Sequence, residues 1–125
     1  MKRVPAFMKL LGLRIEHADR EGALLRMKVP DALMTPFGQV HGGAIAALFD
    51  TGLAIAIARH VAPADRIATH NLNVAFAAFA HEQLLFCRAR VVSLRRSVAV
   101  AEGEVVTEAG ALVAKAVGTF GLRRS

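Results

Sequence analysis

The chain has no tryptophan and no tyrosine, and only seven phenylalanines. That leaves little stacking surface for a single-stranded nucleic acid. Nor is there a helix-turn-helix, zinc-finger or RNP-like signature, so the net charge of +6 reads as scattered and terminal arginine rather than a nucleic-acid face. The one cysteine, Cys87, can form neither an intrachain disulfide nor a thiolate metal cluster. His17, His60, His70 and His81 show no ligand-like pairing, so no metal and no cofactor are expected. Gly-x-Ser-x-Gly is missing, which argues against a serine hydrolase. A glycine-rich phosphate loop is missing as well.

Hydrophobic residues make up 54% of the 125 positions, too many for a disordered chain and enough for one core. A single domain over residues 1–125 is expected. The start, Met1 to Phe7, is basic, but Pro5, Lys9 and Arg14 interrupt any apolar stretch, so no secretory leader is expected and a cytoplasmic address fits. The apolar run at 44–58 approaches spanning length. Asp50 near its centre would cost about 2.5–3.5 kcal/mol on insertion, and Arg59 and His60 end it. A core helix, not a membrane span, is the expectation.

Coarse elements follow from periodicity. Residues 4–11 can form a short helix with Phe7, Leu10 and Leu11 on one face, ended by Gly12. Leu13–His17 and Ala23–Val29 read as strands, the second alternating Leu25, Met27 and Val29 with Arg26 and Lys28. Thr35-Pro36-Phe37-Gly38 is a loop. A long helix runs from about Gly42 to His60, with Pro63 beyond it. Ile67–Phe79, Leu84–Leu94, Ser97–Thr107 and Leu112–Leu122 read as four strands of an antiparallel meander, with turns at Arg95-Arg96 and Glu108-Ala109-Gly110. A helix apolar on every face is satisfied only if such a sheet curls around it.

The segment Gly38-Gln39-Val40-His41-Gly42-Gly43 opens that helix, and Asp50 lies two turns inside it. An acid is rarely buried without a partner or a task. An open helix N-terminus and a lone acid on one segment make a candidate active site.

These residues resemble the thioesterase branch of the hotdog fold, the phenylacetate-pathway (PaaI-like) and 4-hydroxybenzoyl-CoA type. The match rests on Gly38-x-x-His41-Gly42-Gly43, on Asp50 eight residues past Gly42, and on Thr69-x-x-Leu72-Asn73-Val74-x-Phe76. It extends loosely over residues 4–122. The resemblance implies an α+β fold, a curved antiparallel sheet wrapped around one long central helix. It also implies hydrolysis of acyl-CoA or related thioesters by a homodimer or homotetramer, with each site at a dimer interface. One subunit would supply the helix N-terminus and its partner the acid.

Within that frame the Gly42 amide is the oxyanion donor, because the first amides of a helix lack intrahelical partners. Gly43 either assists or permits close packing. Asp50 acts as general base on water or attacks the carbonyl to give a mixed anhydride. His41 positions the loop or holds the thioester, and Thr69 faces the acid. Two positions depart from the family: Thr35, the candidate substrate contact, stands where many relatives carry an Asn that helps place the carbonyl or the water, and Ala54 stands where one branch has a hydroxyl that orients the water. Thr69 or Thr51 could substitute for that hydroxyl. Arg95 and Arg96 lie where relatives hold the CoA nucleotide, and paired arginines suit phosphates. The segment Phe76–Ala80 lines either an acyl pocket or an oligomer interface.

The substrate expected is a small aromatic or short-to-medium acyl-CoA. A non-catalytic acyl-CoA-binding protein and an acyl-carrier-protein dehydratase-like member of the same fold are the alternatives.

Overall fold

The computed structural model describes residues 5–125. Val4, expected in the first helix, and Met1 to Val4 of the basic start lie outside the described residues. Helix α1 spans Ala6–Leu11 and buries Met8 and Leu11, and Gly12 closes it at φ 71, a backbone only glycine adopts cheaply. Strands β1 (Leu13–Asp19) and β2 (Gly22–Lys28) form a hairpin. A 3-10 turn at Asp31–Leu33 leads through the loop to α2, Gly42–Ala58. Then come β3 (Arg66–Phe76), β4 (Leu84–Leu94), β5 (Val98–Thr107) and β6 (Leu112–Arg123).

The six strands form one antiparallel sheet in the order β1-β2-β4-β5-β6-β3, with α2 packed across it: the hotdog arrangement. The order corrects the expected meander. Of those four strands only β4, β5 and β6 follow one another, while β3 pairs with β6 and forms one edge of the sheet. The reason is the helix, which carries the chain from β2 on one side of the central three strands to β3 on the other. Strand β3 also stops at Phe76, short of the expected Phe79, where Ala77 and Ala78 both donate to Val113 O at 2.8 and 3.1 Å.

Alternate residues of the strands face α2. Leu25 and Met27, Leu85 and Cys87, Ala99 and Ala101, and Phe120 are all fully buried there. They meet Leu48, Phe49, Leu53 and Ile57, and each such leucine or phenylalanine contributes about 1.5–3 kcal/mol through burial. The helix lies close to the sheet. A Cβ on Gly52 would come 2.9 Å from Cys87 Sγ, and one on Gly118 would come 2.9 Å from Leu53.

The sheet wraps one side of the helix and leaves the other side open. Ala44, Ile45, Leu48, Phe49, Leu53 and Ile57 are buried, but Ala46, Ala47, Asp50, Thr51, Ala54 and Ile55 form a second face that is only half-buried. This open face borders the edge strand β3, whose Phe76 is 53% exposed.

Candidate active site

Asp50 stands on the open face of α2, half-buried rather than sealed in the core. Across from it, Thr69 points inward from β3, in the register where it pairs with Phe120. The Thr69 hydroxyl donates to Asp50 Oδ1 at 2.6 Å. The hydroxyl at Thr69 therefore meets the acid directly. Oδ2 of Asp50 has no protein partner among the described residues, so one carboxylate oxygen is oriented and the other is left free.

Two turns back, His41 is the N-cap of α2. Its Nδ1 accepts from Gly43 N at 2.8 Å, its own amide donates to Leu33 O at 2.9 Å, and its carbonyl takes the amides of Ala44 and Ile45. With Nδ1 accepting, the neutral ring carries its proton on Nε2. The Gly43 amide is thus committed to the cap and is not offered to a ligand. A Cβ at position 43 would lie 3.0 Å from His41 Nδ1, so a side chain there would press on the cap. The amide of Gly42 has no acceptor among the described residues. It is the one first-turn donor left over, in a position where the helix dipole favours negative charge. Beside it lies the ring of Phe76, 3.5 Å from where a Gly42 Cβ would stand.

The remaining sequence candidates fall elsewhere. Thr35 Oγ1 accepts from Phe37 N and Gln39 N at 3.2 and 3.3 Å, so its hydroxyl builds the loop before α2. Arg95 and Arg96 occupy the β4–β5 turn and are exposed. One row of the sheet runs Thr69, Phe120, Ala99, Leu94. It places the turn three strand spacings, about 14 Å, from the Asp50–Thr69 pair. Cys87 is no rival nucleophile: burial pushes its thiol up to about 12, and it stays protonated at neutral pH.

A cleft of about 840 Å³ lies away from this chemistry. It is bordered by Arg88, Arg90, Glu102, Glu104 and Lys115 on the sheet face turned from the helix, where Arg88 and Arg90 pair with Glu104 and Glu102. Among the described residues no helix is long and apolar enough to cross a membrane.

Sequence reasoning missed Asp65 and Arg124. The two pair at 3.5 Å across 59 residues of chain, and no local spacing announces them.

The sequence model of the thioesterase superfamily matches residues 37–114, the stretch from the loop before α2 into β6. No curated protein matches the chain significantly. Among solved structures it is similar to a phenylacetic acid degradation-related protein from Ralstonia eutropha JMP134, at 32% identity and TM-score 0.90, covering 96% of this chain and 92% of that one. A mutant of the phenylacetic acid degradation protein PaaI from Thermus thermophilus shares 28% identity at TM-score 0.85, over 97% of this chain and 100% of that one. A Bacillus halodurans protein solved with CoA shares 27% identity at TM-score 0.76, over 79% of this chain and 70% of that one.

Proposed function

The chain belongs to the thioesterase superfamily and is a thioester hydrolase, and on that footing we propose that it cleaves a small aromatic or short-to-medium acyl-CoA as a homodimer with shared active sites. The observation that carries the reading is the placement of the free Gly42 amide and the Thr69-oriented Asp50 on one helix. Eight residues separate them, which is about 12 Å along the axis. One carbonyl cannot meet both groups of one protomer. A second copy, laid against the open face of α2 and the edge of β3, brings its Asp50 to the Gly42 of the first. It also covers the half-buried apolar face and the unpaired strand edge, both of which a lone chain leaves in water.

In this site the thioester carbonyl oxygen accepts from Gly42 N–H, and Phe76 flanks the acyl group. Water held at the free Oδ2 of Asp50 loses a proton to the carboxylate as its oxygen attacks the carbonyl carbon. The tetrahedral oxyanion is stabilised by Gly42 N–H. Its collapse breaks the C–S bond, and the proton on Asp50 passes to the leaving CoA sulfur. In the alternative route the carboxylate itself attacks, expelling CoA and leaving a mixed anhydride that water opens. His41 and Gly43 hold the loop-to-helix turn that aims the Gly42 amide. Arg95 and Arg96, set apart from the acid, bind the phosphates of CoA.

The test is complementation. Asp50→Asn removes the acid and Gly42→Pro removes the amide. Proline is tolerated at a first helical position, and His41 already has the extended backbone, φ −60 and ψ 134, that a following proline requires. Removing an oxyanion donor costs about 10²–10³ in kcat. Each variant alone is nearly inactive, but co-refolded mixtures recover about a quarter of wild-type turnover, because half the dimers are mixed and each has one intact site. Mixtures as dead as their parents would sink the shared site.

A further inference from the structure

Five arginines gather at one end of the sheet: Arg66 opening β3, Arg95 and Arg96 in the β4–β5 turn, Arg123 closing β6, and Arg124 just after it. Arg66, Arg95, Arg96 and Arg123 are exposed, and none has a carboxylate partner among the described residues. Arg66 and Arg123 sit directly opposite each other in the β3–β6 pairing, an arrangement that costs stability in a sheet. With Ala68, His70 and Ser97 they border a cleft of about 340 Å³. Four unpaired guanidinium groups around one end of a sheet suit a ligand bearing phosphates.

Arg124 is used differently. Its side chain is 29% exposed, and its Nε and one terminal nitrogen donate to Arg96 O at 2.8 Å and Arg95 O at 3.0 Å. The other terminal nitrogen reaches Asp65 Oδ2 at 3.5 Å. Asp65, its side chain 5% exposed, also accepts from Ala62 N and Ser125 N, each at 2.9 Å, and from Ser125 Oγ at 3.2 Å. The planar fork of Arg124 therefore ties the backbone of the turn carrying two free arginines to the loop between α2 and β3.

We propose that Arg124 is a positioning residue for the phosphorylated end of the substrate: it holds the Arg95–Arg96 turn beside the cleft of Arg66 and Arg123, and Asp65 holds Arg124. This rests on the acyl-CoA reading. Lysine keeps the charge but cannot serve three acceptors in one plane, so it does not replace Arg124.

The experiment compares one acyl group carried by CoA and by N-acetylcysteamine, which has no nucleotide, and adds a titration with adenosine 3′,5′-bisphosphate. In both Arg124→Gln and Arg124→Lys, KM for the CoA ester rises about tenfold while kcat and the N-acetylcysteamine kinetics hold, and bisphosphate affinity falls by the same factor. Full rescue by lysine would reduce Arg124 to a charge and overturn the proposal. Equal losses on both esters would make it a structural prop and overturn it too. If the wild-type protein cleaves neither ester, the acyl-CoA reading fails on its own. The bisphosphate titration then still decides the role of Arg124, and unchanged affinity in the variants rejects it.

Discussion

Asp50 and Asp65 are two carboxylates about one helix length apart in sequence, and they are solvated by the protein in opposite ways. Asp65 takes donors on both oxygens: two backbone amides, a serine hydroxyl and a guanidinium. The amides of Ser125 and Ala62 are the main reason its carboxyl is held below the usual carboxylate range. Asp50 takes one donor, the hydroxyl of Thr69, on one oxygen. A carboxylate saturated with donors is a poor proton acceptor and a good brace. One held at a single oxygen keeps its direction and still has lone pairs to spend. The contrast is what marks Asp50 as the proposed catalytic acid and Asp65 as a brace.

The sharpest way to break the comparison is to neutralise each acid in turn. Asp50→Asn keeps the shape and the Thr69 contact but removes the base, and kcat falls by about 10²–10⁴ with thermal stability little changed. Thiol release from a panel of aromatic and aliphatic acyl-CoAs reads this, and a variant within a few-fold of wild type would remove Asp50 from the chemistry. Thr69→Val tests the single donor. Losing a hydrogen bond to a charged group costs about 1.5–3 kcal/mol, so kcat drops roughly 10–100-fold while KM holds. Thr69→Ser, which keeps the hydroxyl, retains most of the rate. A serine variant as slow as valine would assign the effect to packing against Phe120 instead.

Much of this was legible in the residues. His41-Gly42-Gly43 and Pro63 bracket the helix, the alternation of Leu25, Met27 and Val29 marks a strand facing the core, and Asp50 stands out against its apolar neighbours. Thr69 was paired with the acid on family spacing, and the two do meet. What local pattern could not carry was anything decided by partners distant in sequence. The edge position of β3 depends on where the helix delivers the chain. Which face of α2 stays open is invisible because both faces are apolar, so period alone does not orient it. The Gly43 amide looked available until the rotamer of His41 committed it to the cap. Thr35 looked like a ligand contact, but its hydroxyl closes its own loop. Asp65 and Arg124 had no signal, since each is an ordinary charged residue until the fold joins them.

The smallest effect expected concerns the brace. Because the folded state holds the carboxyl of Asp65 below its unfolded value, its contribution to stability is fully present above that value, about 3.9. It is lost as pH falls through the lower, folded value. Asp65→Asn presents a donor where Ala62 N–H and Arg124 already donate, so the variant melts lower than wild type near neutrality. Between about pH 5 and pH 8 the gap in Tm stays constant, because the wild-type carboxylate is ionised in both states. Below about pH 4 the gap narrows as protonation deprives the wild type of the same interaction. Thermal melts of the two proteins across this range measure it. A gap that persists undiminished at about pH 2.5, below the unfolded value, would mean that the Asp65→Asn change disturbs shape rather than charge. The distinction drawn between the two acids would then rest on Asp50 alone.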